Sequence, residues 1–194
     1  MSDVTFVVGV ITALVLANAL FVAAEFAIVG ALRAAIEHAA SQGSRLAQRV
    51  ARILHDPRRQ DRFIATTQVG ISIASVGLGM YGEHVLAETL AGWFAASTML
   101  QRVGVHAVAG VVSIACLTYL HIVVGEMVPK ALALQRAART VQYVTPAIQT
   151  MQLVLHPLVV ALNAIGNAIL RRVGVQREEG AERYHTTEIG RAHV

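Results

Sequence analysis

The chain has 194 residues, of which 55% are hydrophobic and 14% are charged, and its formal net charge is +4. Soluble domains contain about a quarter of charged residues, so the composition excludes an ordinary soluble domain and indicates a membrane protein. The single cysteine, Cys116, excludes a disulfide framework. The basic charge comes without an aromatic or groove-binding pattern, so we expect no nucleic-acid partner.

The first predicted span covers residues 4–29, which exceeds the ~20 residues that a membrane-crossing helix needs. Asn18 and Glu25 are seven residues apart on it and therefore share one helical face. A cleaved signal peptide is the alternative interpretation, because the segment is rich in small residues. It lacks the basic region that precedes a signal core, and Asp3 is its only early charge, which favours a retained span.

The loop after this span sets the predicted topology. Residues 45–54 place apolar and basic side chains at helical spacing, after a break and cap at Gly43 and Ser44. We expect an amphipathic helix there that packs on the domain or contacts anionic lipid headgroups. The positive-inside rule puts the loop in the cytoplasm and the amino terminus outside, because the loop contains seven arginines, namely Arg33, Arg45, Arg49, Arg52, Arg58, Arg59 and Arg62.

The second predicted span, residues 63–81, has one polar or small face. Gln68, Ser72, Ser75 and Gly79 follow the 0, 4, 7, 11 spacing of a single helical stripe. Two interpretations of this stripe stay open. Small and hydroxyl residues allow membrane helices to pack closely, and the same hydroxyl oxygens are suitable ligands for a cation.

The third predicted span, residues 103–124, leads into the run 121–130, where Glu126 follows an apolar segment. A carboxylate near hydrocarbon needs a partner, and it is by default a hypothesis for a functional site. Gly125 leaves its carbonyl approachable, and Pro129 is expected to stop or kink the helix and expose carbonyl oxygens. The alternative is that Glu126 marks the water boundary and pairs with Lys130.

A fourth apolar stretch, residues 141–173, contains prolines and several polar side chains. If it spanned the membrane, Arg171 and Arg172 would lie outside, against the positive-inside bias. We therefore expect two shorter helices, broken near Pro157, that lie along the inner membrane surface or pack on the bundle. The carboxyl terminus is then cytoplasmic.

The polar faces of the three spans are chemically alike. They offer hydroxyl, amide, carbonyl and carboxylate oxygens, which suit hard cations such as Mg²⁺, Ca²⁺ or Na⁺. Histidine and cysteine at zinc-ligand spacing are missing, and His121 is interpreted either as an interior histidine or as a metal ligand. The sequence contains no HExxH motif, nucleophile elbow or phosphate-binding glycine loop, so we do not expect an enzyme and expect no bound cofactor.

Three segments in order, residues 18–29, 66–79 and 121–130, resemble the membrane domain of the CorC/HlyC and cyclin M (CNNM) family. The resemblance implies a homodimeric all-α domain over about residues 1–175 in the bacterial inner membrane, with three spanning helices and juxtamembrane helices. It further implies Mg²⁺ transport, as export coupled to Na⁺. The metal-coordinating residues that it implies are Glu126 and Gly125 on the third span, Ser72 and Ser75 on the second, and Asn18 and Glu25 on the first.

The resemblance also predicts how the chain ends. Residues 176–187 are expected to be a linker toward cytoplasmic CBS domains, and residues 188–194 look like the translation of a sequencing adapter. Many family members have a serine before the first-span glutamate, where this chain has Ala23 and Ala24. The alternative function is a membrane anchor and dimerisation module for the cytoplasmic domains, without transport of its own.

Overall fold

The computed structural model describes residues 2–82, 85–86, 88–89 and 99–172, and this part of the chain contains helices and turns but no strand. The helices, with two π-helical segments, are α1 (Ser2–Gly30), α2 (Arg33–Ser41), α3 (Arg45–Leu54), α4 (Pro57–Gly77) with π1 (Leu78–Gly82), α5 (Met99–Leu120) with π2 (His121–Met127), α6 (Val128–Gln135) and α7 (Ala137–Arg172). The predicted all-α fold is confirmed. The expected linker 176–187 and tail 188–194 lie outside the described residues.

The three predicted spans correspond to helices that are longer than expected. By length and composition, the stretches Val4–Gly30, Pro57–Gly82 and Ala107–Gln135 are each able to cross a membrane. The second begins six residues before the predicted start at residue 63, because Asp56 caps it and Pro57 occupies its first turn. Pro129 does not end the third helix. The chain widens into π2 before it and continues as α6.

The prediction of two helices broken near Pro157 was wrong. The helix α7 runs without interruption through Pro146 and Pro157 and covers 36 residues. A proline has no N–H, so the carbonyl four residues before it loses its helical donor, here the carbonyls of Gln142 and Leu153. Membrane helices tolerate such a loss without ending. Ala137–Arg172 is therefore a fourth helix long and apolar enough to span.

The arginine-rich loop folds as the sequence predicts. Gly43 has a φ of 89°, which favours glycine, and it ends the turn after α2. The Ser44 hydroxyl then caps α3 by accepting from the Ala47 amide at 3.2 Å. The apolar side of α3, including Val50 and Ile53, is buried, so this helix packs on the domain.

Helix α1 lies at the centre of the bundle, where it packs against α4, α6, α7 and π2. Two apolar clusters hold it. The larger joins the carboxyl-terminal half of α1 to the arginine-rich helices and to α7, around Ile28, Ile36, Phe63 and Ile148. The smaller joins the other half of α1 to π1 and α5, around Val7, Ile11, Val15, Leu78 and Leu117. The polar residues between these clusters define the site.

Candidate functional site

Asn18 is the centre of a polar junction between the three predicted spans. Its side chain is 2% exposed. The amide Nδ2 donates to the Gly125 carbonyl at 2.9 Å, and Oδ1 accepts from the Ser75 hydroxyl at 3.4 Å. A buried amide needs partners for its donors and its acceptor. One side chain of α1 therefore ties π2 and α4 together.

The backbone around Pro129 explains why the Gly125 carbonyl is available. Pro129 has no N–H, so the usual helical bond from residue i to the carbonyl of residue i−4 cannot form to Gly125. Gly125 also permits the close approach of α1. A Cβ on this residue would lie 3.3 Å from Asn18 Nδ2 and 3.1 Å from His121 Cδ2. The proline frees the oxygen, and the glycine leaves space for its donor.

His121 completes the group, which we call the Asn18 cluster (Asn18, Ser75, His121 and Gly125). Its Nε2 is 3.2 Å from the Ser75 hydroxyl oxygen. Serine has one hydroxyl hydrogen, so Ser75 donates either to Asn18 or to the histidine ring. The cluster therefore has two hydrogen-bond arrangements, and the histidine tautomer decides between them. The interpretation of His121 as an interior histidine with a hydrogen-bond partner is supported.

Glu25 and Ser72 lie outside the Asn18 cluster. The Glu25 carboxylate accepts from Gln68 Nε2 at 3.5 Å, which links α1 to α4 two helical turns away from Asn18. Ser72 is exposed, and its hydroxyl donates to the Gln68 carbonyl on its own helix at 3.0 Å. Gln68 was recognised in the polar stripe but was not expected among the site residues. Its register with Glu25 depends on how α1 and α4 pack.

A close contact fixes that packing. At Gly70, a Cβ would lie 2.5 Å from Cε1 of the Phe21 ring, which real structures do not tolerate. The absence of a side chain at Gly70 therefore allows α1 and α4 to touch at this level. Nothing in the local sequence identifies Phe21 as the partner, because the contact joins residues far apart in the chain.

Glu126 follows the buried Gly125 but is itself exposed. Among the described residues, its carboxylate has no hydrogen bond or ion pair. Lys130 is not within salt-bridge distance of it, and its ammonium instead lies 4.4 Å from the centre of the Phe26 ring, a cation–π contact. The alternative interpretation, in which Glu126 pairs with Lys130, is therefore not what the structure has.

The structure brings three of the six expected ligands together: Asn18, Ser75 and Gly125. Glu126 is adjacent in sequence, whereas Glu25 and Ser72 belong to the neighbouring Gln68 group. The oxygens of the Asn18 cluster are neutral, so a full negative charge next to it comes from Glu126, whereas Glu25 lies two helical turns away on α1. The described part of the chain has no group of three or more His, Cys, Asp or Glu side chains able to hold a metal.

These features define a multi-pass α-helical membrane domain with a polar junction between its spans. A sequence model described as the cyclin M transmembrane N-terminal domain, CNNM, matches residues 9–192. The chain belongs to this family. The resemblance seen in the three sequence segments is thereby confirmed.

Several bacterial proteins are similar over most of the chain. It is 31% identical over 186 residues to the UPF0053 protein YhdT of Bacillus subtilis, covering 96% of this chain and 39% of that protein. It is 34% identical to the uncharacterized protein Rv1841c of Mycobacterium tuberculosis, covering 84% of this chain and 45% of that protein. It is 31% identical to the UPF0053 protein sll0260 of Synechocystis, covering 87% of this chain and 37% of that protein. The chain thus spans less than half the length of these relatives.

Proposed function

We propose that this chain is the membrane domain of a divalent cation transporter that exports Mg²⁺ in exchange for Na⁺. The observation that supports this most directly is the hydrogen bond between Asn18 and the Gly125 carbonyl. It joins the first and third spans at an irregular backbone segment, next to the Glu126 carboxylate, which has no partner among the described residues. π-helical turns inside α-helices frequently occur at functional sites.

Each residue has a physical role in this proposal. The exposed Glu126 carboxylate reduces the cost of bringing a doubly charged ion into the domain. The Gly125 carbonyl has a second lone pair beside the one that Asn18 occupies, and the hydroxyls of Ser72 and Ser75 supply further oxygens. Mg²⁺ keeps most of its water and is usually held by one or two carboxylates, so a sparse oxygen set binds it weakly enough to release it.

The test is Mg²⁺ flux in proteoliposomes containing the chain, followed with an internal Mg²⁺-sensitive dye. We expect Glu126→Gln to abolish flux and Glu37→Gln to leave it unchanged. Glu37 is a matched control because it is an exposed glutamate on α2, beside His55. Equal flux in both variants and the wild type would show that Glu126 does not carry the ion.

Ion binding is tested separately by thermal stability of the purified chain in Mg²⁺, Ca²⁺, Mn²⁺ and Na⁺. A ligand that binds only the folded state stabilises it by about 2.7 kcal/mol at a hundredfold excess over its Kd. We expect Mg²⁺ to raise the melting temperature of the wild type and not of Glu126→Gln. A rise of the same size in both proteins would point to a different site.

A membrane anchor and dimerisation module is the second candidate, and one observation favours it. Every buried side-chain nitrogen or oxygen in the described part of the chain has a hydrogen-bond partner, as helix packing alone requires. On this hypothesis Ser72→Ala and Ser75→Ala change the dimer dissociation constant but neither flux nor Mg²⁺-dependent stability. We also propose that the chain forms a homodimer and that cytoplasmic CBS domains are its partner in the full-length protein.

We also propose that the domain lies in the bacterial plasma membrane with its arginine-rich helices α2 and α3 in the cytoplasm. The amino terminus is then outside. A cysteine placed at Gln42, an exposed turn residue, in a Cys116→Ser background tests this. Labelling of this cysteine by an impermeant reagent in intact cells would contradict the proposed topology. Labelling only after lysis would support it.

A further inference from the structure

A basic cleft lies between α3, the first turns of α4 and the middle of α7. Its volume is about 730 Å³. We call it the arginine cleft. It is lined by five arginines, two glutamines, one aspartate and one isoleucine, namely Arg49, Arg52, Arg58, Arg59, Arg62, Gln149, Gln152, Asp56 and Ile53.

The charges in the arginine cleft are only partly compensated. Arg59 Nε donates to the Asp56 carboxylate at 3.0 Å, and Arg52 Nε donates to a backbone carbonyl at 3.4 Å. Within the described ranges, the guanidinium groups of Arg49, Arg58 and Arg62 have no hydrogen bond or ion pair. Guanidinium stays protonated at any physiological pH, so several like charges face one cavity.

Asp56 does not neutralise the arginine cleft, because it is already used. Its carboxylate accepts from the backbone amides of Arg58 and Arg59 and caps α4. Desolvation raises the pKa of Asp56, but the hydrogen bonds from Arg59 and Arg58 outweigh it and hold the pKa below its ordinary value of 3.8. The aspartate is therefore ionised, and its carboxylate oxygens are already bound by the Arg59 side chain and by the backbone amides at the start of α4.

The arginine cleft lies where the polar and apolar parts of the domain meet. Arg62 immediately precedes Phe63, at which the apolar part of α4 begins. On α7, Leu153 lies one helical turn after Gln149 on the same side of the helix, and it is 80% exposed. A lipid whose headgroup occupied the cleft would have this apolar side chain next to the glutamine for its acyl chains.

We propose that the arginine cleft binds the phosphate of an anionic phospholipid. Guanidinium groups bind phosphate oxygens in bidentate fashion, and the glutamine amides add uncharged donors. Basic pockets between membrane helices are known to hold anionic headgroups. A soluble phosphate would satisfy the same arginines but would leave Leu153 uncovered, so the adjoining exposed apolar side chain favours a lipid. The Asn18 cluster is separate, because Ser75 is 13 residues from Arg62 on α4, about 20 Å along the helix.

The experiment measures the melting temperature of the chain in neutral detergent during titration with phosphatidylglycerol, with phosphatidylcholine and with inorganic phosphate at matched ionic strength. The test variant is Arg49→Gln/Arg62→Gln. The control is Arg33→Gln/Arg45→Gln, which removes the same charge from exposed positions outside the cleft. Far-ultraviolet circular dichroism checks folding, and Arg62→Lys replaces the double variant if the latter does not fold.

We expect phosphatidylglycerol to stabilise the wild type and the control alike, and phosphatidylcholine to have little effect. The cleft variant should need at least tenfold more phosphatidylglycerol for the same shift, because a hydrogen bond to a charged group contributes about a factor of ten. Arg62→Lys should weaken binding less, since lysine keeps the charge but loses the bidentate geometry.

Three results would overturn the proposal. Equal stabilisation by phosphatidylcholine would show that headgroup charge is irrelevant. Equal loss in the control would show that the basic surface as a whole, and not the cleft, attracts lipid. Inorganic phosphate that reproduces the full shift would show that the site takes a soluble anion.

Discussion

The Asn18 cluster and the arginine cleft treat polar groups in opposite ways. The cluster is buried between spans, carries no formal charge when His121 is neutral, and its hydrogen bonds join three helices within the chain. The cleft is lined by charged side chains, three of which have no partner among the described residues. The hydrogen bonds of the Asn18 cluster stabilise the packing of the helices, whereas the arginines of the cleft remain able to bind a ligand. Substitutions in the two regions should therefore have different signs as well as different sizes.

The contact beside the Asn18 cluster should give the largest effect. Gly70→Ala places a Cβ against the Phe21 ring, and overpacking of this kind costs about 1–3 kcal/mol. The measurement is the free energy of unfolding in mixed detergent micelles. Gly9→Ala is the control, since a Cβ there meets nothing within 4 Å. Phe21→Leu should rescue Gly70→Ala, and a failure to rescue would place the strain elsewhere.

Asn18→Leu should come next. It removes the donor to the Gly125 carbonyl and the acceptor for Ser75, and an unsatisfied buried carbonyl costs about 1–3 kcal/mol. Values near 1 kcal/mol are common for hydrogen bonds between membrane helices. Thr12→Leu, on an exposed position of the same helix, should be neutral. If the two variants were equally stable, the junction would not hold the spans together.

The arginine cleft should respond in the opposite direction when no anionic lipid is present. Arg49→Gln/Arg62→Gln removes two like charges that have no partner in the described part of the chain, so the free energy of unfolding in neutral detergent should stay the same or rise, by at most about 1 kcal/mol. The same measurement used for Asn18→Leu applies. A clear loss of stability would mean that these arginines already have a structural role, and the contrast between the two regions would fail.

The smallest effect concerns pH at the edge of the arginine cleft. The pKa of Asp56 in the folded chain lies below its ordinary value of 3.8. The contribution of Asp56 to folding stability is therefore complete above pH 3.8 and is lost as the pH falls through the folded-state pKa. Melting temperatures between pH 6 and pH 3 should therefore drop less for Asp56→Asn than for the wild type. Asp61→Asn controls for the loss of one carboxylate. If the melting temperature of Asp56→Asn fell as much as that of the wild type, Asp56 would not contribute to the pH dependence of stability.

The sequence predicted the features that depend on neighbouring residues. Gly43 and Ser44 mark the start of α3 because a left-handed turn and a side-chain cap are local events. Ser75 and Gly125 were found through the spacing of a stripe and the chemistry of a motif. The class of fold followed from composition and span length, which depend only weakly on how the helices pack.

What the sequence missed depends on packing between distant segments. Pro157 looked like a break, but the helix is continuous through it. The contact of Phe21 with Gly70 and the pairing of Gln68 with Glu25 both require the register of α1 on α4. The arginines indicated the topology and a contact with anionic headgroups but not a cleft, because the cleft forms only when α7 packs against α3 and α4.

The π-helical segment before Pro129 has a consequence for the whole third span. Its buried side repeats every four residues, and the buried members of this series are Ala109, Ser113, Leu117, Gly125 and Ala133. In an α-helix a step of four residues overshoots a full turn by about 40°, so such a stripe would wind away from α1. A π turn holds more residues per turn and rotates the chain back. The π-helical segment thus compensates for the rotation of the buried stripe around the helix. Deleting one residue from it would turn Gly125 or Ala133 away from α1.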